Sequence, residues 1–251
     1  MELGLQGRVA LVMGSSAGIG QGIAAALARE GARVAVVSRS QGRAEEAATT
    51  IGGGTSPFVA DTTDLDRLAE LPAEVESALG PLDILVTNTG GPPLGKSLMH
   101  ELDDWERAYR SLVLAPRVLA GAVVPGMQER GWGRIVNVGS SSTREPIAGL
   151  NLSNSHRMAA VGFFKTLSRE VAADGVTVNT VATGRFATER LASNYGSIEA
   201  AEAAAQRDVP AGRLGLPGEY GDLVAFLCSK RAAYITGTVI PIDGGMLHSA
   251  F

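Results

Sequence analysis

Five short apolar runs, at residues 9–13, 34–37, 84–86, 135–138 and 176–181, are separated by longer stretches whose apolar positions recur every three or four residues. Runs this short, rich in valine and isoleucine, read as strands buried on both faces. The stretches at 19–30, 41–51, 64–79, 103–130 and 153–173 read as helices. Parallel strands are joined by right-handed crossovers, so this alternation specifies a doubly wound (Rossmann) α/β fold with helices on both faces of one parallel sheet. A length of 251 residues suits a single domain over 1–251, and no repeat or Pro/Ser-rich linker marks a second. The least regular part, 184–217, rich in alanine, glycine and charge, is expected to be a mobile lid over a ligand.

Composition narrows the partners. A formal net charge of −4 with no basic tract argues against nucleic acid and against an anionic membrane surface. No window holds the roughly 18 uninterrupted apolar residues of a membrane span, and the start of the chain lacks a signal-like apolar region. A cytoplasmic location and a small-molecule partner are expected. Cys228 is the only cysteine and lies in the run Leu223-Val224-Ala225-Phe226-Leu227-Cys228, so it reads as core filling. No Cys/His cluster has zinc-ligand spacing.

The loop Met13-Gly14-Ser15-Ser16-Ala17-Gly18-Ile19-Gly20 follows the first strand and opens the first helix. Gly14, Gly18 and Gly20 would let the backbone turn sharply and approach a pyrophosphate, whose charge the helix N-terminus favours. With Ser15, Ser16 and Ile19 they form the expected cofactor cradle. The second strand ends Val37-Ser38-Arg39-Ser40, where an acid would ordinarily accept from the adenosine ribose of NAD. Ser38 and Arg39 instead suit a 2′-phosphate, which favours NADP over NAD; a solvated strand-end arginine is the alternative. Asp61, followed by Thr62, is read either as an acceptor for the adenine amino group or as a helix N-cap. Asn88-Thr89-Gly90-Gly91 follows the fourth strand at the sheet edge where open α/β folds bind ligands.

These residues, with Ile135–Ser140 read as the fifth strand, Lys165-Thr166-Leu167-Ser168-Arg169-Glu170, Val178-Asn179, Tyr234-Ile235-Thr236-Gly237 and Asp243-Gly244-Gly245, resemble the short-chain dehydrogenase/reductase family, particularly its β-ketoacyl-carrier-protein reductase branch. The likeness spans essentially the whole chain. It implies a serine that polarises the substrate carbonyl, a tyrosine thirteen residues later that donates the proton, and a lysine four beyond that holds the nicotinamide ribose. It also implies an asparagine on the preceding helix that anchors a relay water. The serine carries over as Ser140, but the tyrosine position is Ser153, the lysine position Arg157 and the asparagine position Leu112. Thr183 replaces the proline that usually precedes Gly184, in a segment the resemblance assigns to the nicotinamide. Halohydrin dehalogenases share this scaffold and carry arginine at the lysine position, but they keep the tyrosine and have lost the glycine loop.

A serine hydroxyl is a far weaker acid than a phenol near pKa 10, so Ser153 cannot simply replace tyrosine. Arg157 can hold ribose hydroxyls and supply charge but stays protonated. The two stand at i and i+4 and would share a helix face. His156 is either a proton donor or a packed helix histidine. Two functions remain open: NADP-dependent reduction of a carbonyl, or oxidation of the alcohol, with Ser140, Ser153 and Arg157 as the catalytic set; or a catalytically silent nucleotide-binding scaffold. The branch resemblance implies a 3-oxoacyl thioester or similar small carbonyl. It also implies a homo-tetramer formed through the long helices at 103–130 and 153–173 and the C-terminal strand.

Overall fold

The computed structural model describes residues 2–250. Seven parallel strands form one sheet in the order β3-β2-β1-β4-β5-β6-β7. They are β1 (Val9–Val12), β2 (Arg33–Ser38), β3 (Thr55–Val59), β4 (Ile84–Thr87), β5 (Gly133–Val138), β6 (Val176–Thr183) and β7 (Val239–Ile242). Successive side chains of a strand point to opposite faces, so β1 feeds two separate cores. Ala10 and Val12 pack under α1 (Gly18–Arg29), α2 (Gln41–Ile51) and α9 (Pro217–Cys228). Val9, Leu11 and Met13 pack under α3 (Leu65–Leu79), α5 (Ala115–Glu129) and α6 (Asn151–Val171). Doubly wound architecture is therefore as expected. Cys228 is fully buried in the first core, and burial pushes its thiol up to about 12.

The edge strands are less buried than the central ones. β3 carries Pro57 and β7 carries Pro241, which edge strands tolerate because one side of the ladder is unpaired. Strand order reverses between β1 and β4, which opens a crevice at their carboxyl ends. Into that crevice run the loops after β1, β4, β5 and β6.

Two expectations need correction. The helix expected over 103–130 is α4 (Leu102–Tyr109) and α5 joined by a π-helical turn, Arg110–Leu114. That whole run, Leu102–Glu129, is long and apolar enough to cross a membrane by composition. In the fold Ala115, Leu119, Val123 and Met127 of α5 pack into the second core, while Leu102 and Tyr109 of α4 stay exposed. The segment 184–217 is not irregular. It contains α7 (Glu189–Tyr195) and α8 (Ile198–Asp208), capped by the Thr188 and Ser197 hydroxyls. A bridge between Phe186 and Gly215 closes its base, and Ala201, Ala205, Val209 and Leu214 give it a small core.

Candidate active site

A cleft of about 1110 Å³ lies along the carboxyl edge of the sheet. It exceeds the ~300–1,000 Å³ of ordinary small-molecule pockets, which leaves space for a dinucleotide beside a second small ligand. Gly14, Ser16, Gly18, Ile19, Gly20, Ser38, Arg39, Asp61, Thr62, Asn88, Thr89, Gly90, Ser140, Ser153, Arg157 and Gly184 all line it.

At one end the wall is backbone. Gly14 and Gly18 have φ of 56° and 55°, the left-handed region in which glycine alone is unstrained. A Cβ on Gly20 would overlap the carbonyl oxygen of Gly14 and come within 2.7 Å of Asn88 Nδ2. The loop is thus a cradle that side chains would fill. Asn88 Nδ2 donates to Gly14 O at 3.1 Å and pins the loop of β1 to the loop of β4. Ser15 does not belong to the cleft. It is fully buried, donates to Val12 O at 2.7 Å and accepts from Val37 N at 2.8 Å, so it ties β1 to β2.

Beyond β2, Ser16 donates to Ser38 at 3.2 Å, and Arg39 projects with its side chain 79% exposed. Its nearest carboxylate is Asp61, at 4.0 Å. Asp61 accepts from the Thr63 backbone and hydroxyl, both at 2.8 Å, in a turn. The N-cap of α3 is Asp64, which accepts from Arg67 N at 3.0 Å, so the capping role considered for Asp61 is taken by its neighbour. Arg43, on the first turn of α2, also lines this end; its place one helical turn after Arg39 is the signal that could have found it.

At the other end the wall is side chain. Ser140 Oγ accepts from Ser142 N at 3.1 Å. Ser153, buried near the start of α6, accepts from Arg157 Nε at 3.2 Å. Arg157 Nη1 donates to Val138 O, the end of β5, at 2.7 Å. Burial holds the guanidinium below its ordinary range, down to about 10, with the nearby charge of Arg190 adding to the effect. The i, i+4 pair thus faces the cleft as a joined unit. Leu112 is buried in the π-helical turn and offers no polar group. His156 is not at the site. Its Nδ1 lies 2.7 Å from Leu152 O, which can only accept, so that nitrogen carries a proton. The ring packs on Trp105 and Tyr109, with centroids 5.2 and 6.3 Å away.

Thr183 stands at the floor of the cleft, its hydroxyl 2.9 Å from the phenol oxygen of Tyr220, a fully buried residue of α9. Gly184 admits the tail: a Cβ there would lie 2.5 Å from Asp243 Cα. Met246 and Leu247, beyond that contact, close the cleft from the carboxyl side. Tyr220, Met246 and Leu247 carried no motif signal, since they reach the site through packing of distant segments.

Residues 14–247 match the family model described as enoyl-(acyl carrier protein) reductase. The chain is 35% identical to the 3-oxoacyl-(acyl-carrier-protein) reductase of Vibrio harveyi over 244 residues, 97% of this chain and 99% of that one. It is likewise 35% identical to human dehydrogenase/reductase SDR family member 4 over 248 residues, 96% of this chain and 88% of that one. The crystal structure of L-sorbose reductase from Gluconobacter frateurii, complexed with NADPH and L-sorbose, superposes with a TM-score of 0.94 at 31% identity, covering 99% of this chain and 100% of that one. Matches of this extent, from a family model that covers residues 14–247 to relatives aligned over nearly the whole chain, have one meaning: the chain belongs to the short-chain dehydrogenase/reductase family.

Proposed function

We propose that the protein is an NADP-dependent oxidoreductase that reduces a small carbonyl, or oxidises the corresponding alcohol, with Ser140, Ser153 and Arg157 as its catalytic set. One observation carries this reading: both serine oxygens already accept an N–H bond, from Ser142 and from Arg157. Each hydroxyl proton is therefore left to be donated. Two oriented donors facing one cleft can hold the oxygen of a carbonyl as negative charge develops on it, and such donors supply a large share of a rate without a strong acid. Arg157 adds fixed positive charge beneath them. Because neither serine is acidic enough to surrender its proton, water delivers the proton that completes the alcohol.

The nicotinamide cofactor, when bound, supplies the hydride. The glycine cradle, Asn88, Thr89, Gly90 and Gly184 suit its diphosphate and nicotinamide half, with Arg157 toward the ribose. Ser38, Arg39 and Arg43 suit a 2′-phosphate, with Asp61 and Thr62 toward the adenine. The bound NADPH of the L-sorbose reductase supports that choice of nucleotide. The substrate is a 3-oxoacyl thioester or a comparable small carbonyl, a reading supported by the Vibrio harveyi relative. The segment 184–217 would act as the lid of a single domain, hinged where Phe186 pairs with Gly215.

A homo-tetramer is part of the same proposal. Large apolar side chains stand exposed on α4 (Leu102, Tyr109), on α6 (Met158) and just before β7 (Tyr234), the faces expected to associate. Light scattering at micromolar concentration tests it, and a monomeric mass overturns it.

The activity is tested by NADPH oxidation against a panel of ketones, 3-oxo esters and 3-oxoacyl thioesters. Ser140→Ala and Ser153→Ala should each lower kcat by about 10²-fold, the scale of one removed oxyanion donor, with KM for NADPH unchanged. NADPH binding without turnover of any carbonyl would favour the silent scaffold.

A further inference from the structure

We propose that Arg190 clamps the cofactor's diphosphate from the lid side of the cleft. The first turn of α7 spans the two loops that frame the glycine cradle. At its start Thr188 packs over the glycine loop, its methyl carbon 3.1 Å from where a Cβ on Gly18 would lie. Two residues on, Arg190 Nη2 donates to Pro92 O at 3.1 Å, in the loop that continues Asn88-Thr89-Gly90. Gly91 makes this reach possible, because a Cβ there would collide with the Arg190 guanidinium.

The charge has no internal match. Among the described residues Arg190 forms no ion pair, whereas the other lid arginine on that side, Arg185, is bound to Asp208 at 2.8 Å. Desolvation within the cleft lowers the Arg190 pKa, and the charge of Arg190 in turn helps lower that of Arg157. Glu189, its neighbour, lines the cleft but does not pair with it. A guanidinium so placed carries one hydrogen bond and has four N–H groups to spare. The glycine loop offers the complementary half, since backbone N–H groups at a helix N-terminus attract phosphate from one side only. A diphosphate between them would be held from both, and α7 would be drawn down with it.

This inference rests on the nucleotide-binding reading, and the experiment separates the two. NADPH affinity is measured by fluorescence titration of the full-length protein, and 2′-AMP, which lacks the diphosphate, by calorimetry. Arg190→Gln should raise the NADPH Kd about tenfold, the scale of a hydrogen bond to a charged group, and leave 2′-AMP within about twofold. Gly91→Ala, which displaces the guanidinium without removing its charge, should weaken NADPH in the same direction by less. NADPH should protect the lid from trypsin in the parent and fail to do so in Arg190→Gln. An NADPH affinity equal to the parent's in Arg190→Gln would overturn the clamp. So would an equal loss for 2′-AMP, or a change confined to KM for the carbonyl, which would make Arg190 a substrate residue. A parent that binds no NADPH removes the nucleotide reading and the clamp together.

Discussion

The two ends of the cleft are built from different materials. At the glycine-loop end the wall is main chain, held by Asn88 donating to Gly14 O and by positive φ at Gly14 and Gly18. At the reacting end it is side chain, held by Ser140, Ser153 and Arg157 bonding to one another's surroundings. A main-chain wall resists piecemeal change, because an added Cβ would meet backbone at Gly14 and Gly20 and would sit at a positive φ at Gly14 and Gly18. A side-chain wall can be reset at three positions while β5 and α6 keep their packing.

The sharpest way to break this contrast is at the rigid end. Gly20→Val should abolish measurable NADPH binding, a loss of about 100-fold or more, because its Cβ overlaps Gly14 O and the strand below cannot yield. A thermal melt within a few degrees of the parent would show that the loss is local. Retained affinity would mean that the cradle is not where the nucleotide sits.

Arg39→Asp probes the outer rim of the same end. The exposed guanidinium has only Asp61 near it, at 4.0 Å, so it is available for a 2′-phosphate. Reversal of charge should shift the ratio of NADPH to NADH affinities by ~30-fold toward NADH, within the range for charge-assisted bonds. Calorimetric titration of both nucleotides against both proteins decides it. Equal affinities in the parent would leave Arg39 a solvated strand-end residue.

Ser153→Tyr with Arg157→Lys tests whether the flexible end is tuned or merely decayed. The replacement restores a phenol beside an ammonium, which lowers its pKa toward the working range. For a working enzyme the bulk of the phenol should occupy space that Ser153 leaves open, and turnover of the best carbonyl in the panel should fall about tenfold. For a scaffold that had lost its chemistry, reduction should rise from zero. A double variant that binds NADPH and matches the parent on every carbonyl would show that position 153 does not face the reacting centre.

The sequence made the rigid end legible because its signal is local: strand, glycines and helix follow one another within a dozen residues. The central strands were legible for the same reason, as runs buried on both faces. What escaped was set by tertiary contact. The edge strands β3 and β7, half exposed and carrying Pro57 and Pro241, were placed by the family resemblance and not by an apolar run buried on both faces. The lid helix α8 is alanine-rich and takes its apolar face from a satellite core that only the folded lid creates. Ser15 looked like cradle by position, yet its hydroxyl turns inward to join two strands. His156, adjacent to Arg157 in sequence, turns about 100° away around α6, toward Trp105. Arg190 and Tyr220 lie 33 and 63 residues beyond Arg157, and no spacing rule connects them to it.

Tyr220→Phe is the smallest expected effect and joins the two kinds of wall. The Thr183 hydroxyl is 2.9 Å from the Tyr220 phenol, which lies in the first core. Removal of the phenol oxygen leaves Val181 O with its ladder partner, Gly139 N, at 2.8 Å, so the loss falls on Thr183. The cost should be about 1 kcal/mol, read as a lower urea midpoint at unchanged m, with NADPH affinity within about twofold. Thr183→Val in the Tyr220→Phe background should cost little more, because an apolar pair leaves no buried polar atom unmatched. Burial raises the Tyr220 pKa well above 10, so above pH 10 the unfolded chain loses this proton while the folded chain keeps it. The unfolded state then binds fewer protons and the parent's stability falls as pH rises. Phenylalanine has no proton to lose, so the gap between parent and Tyr220→Phe should narrow above pH 10. A gap that stays constant from pH 7 to 11 would show that the phenol titrates alike in both states, and that it is not sealed beneath the cleft floor.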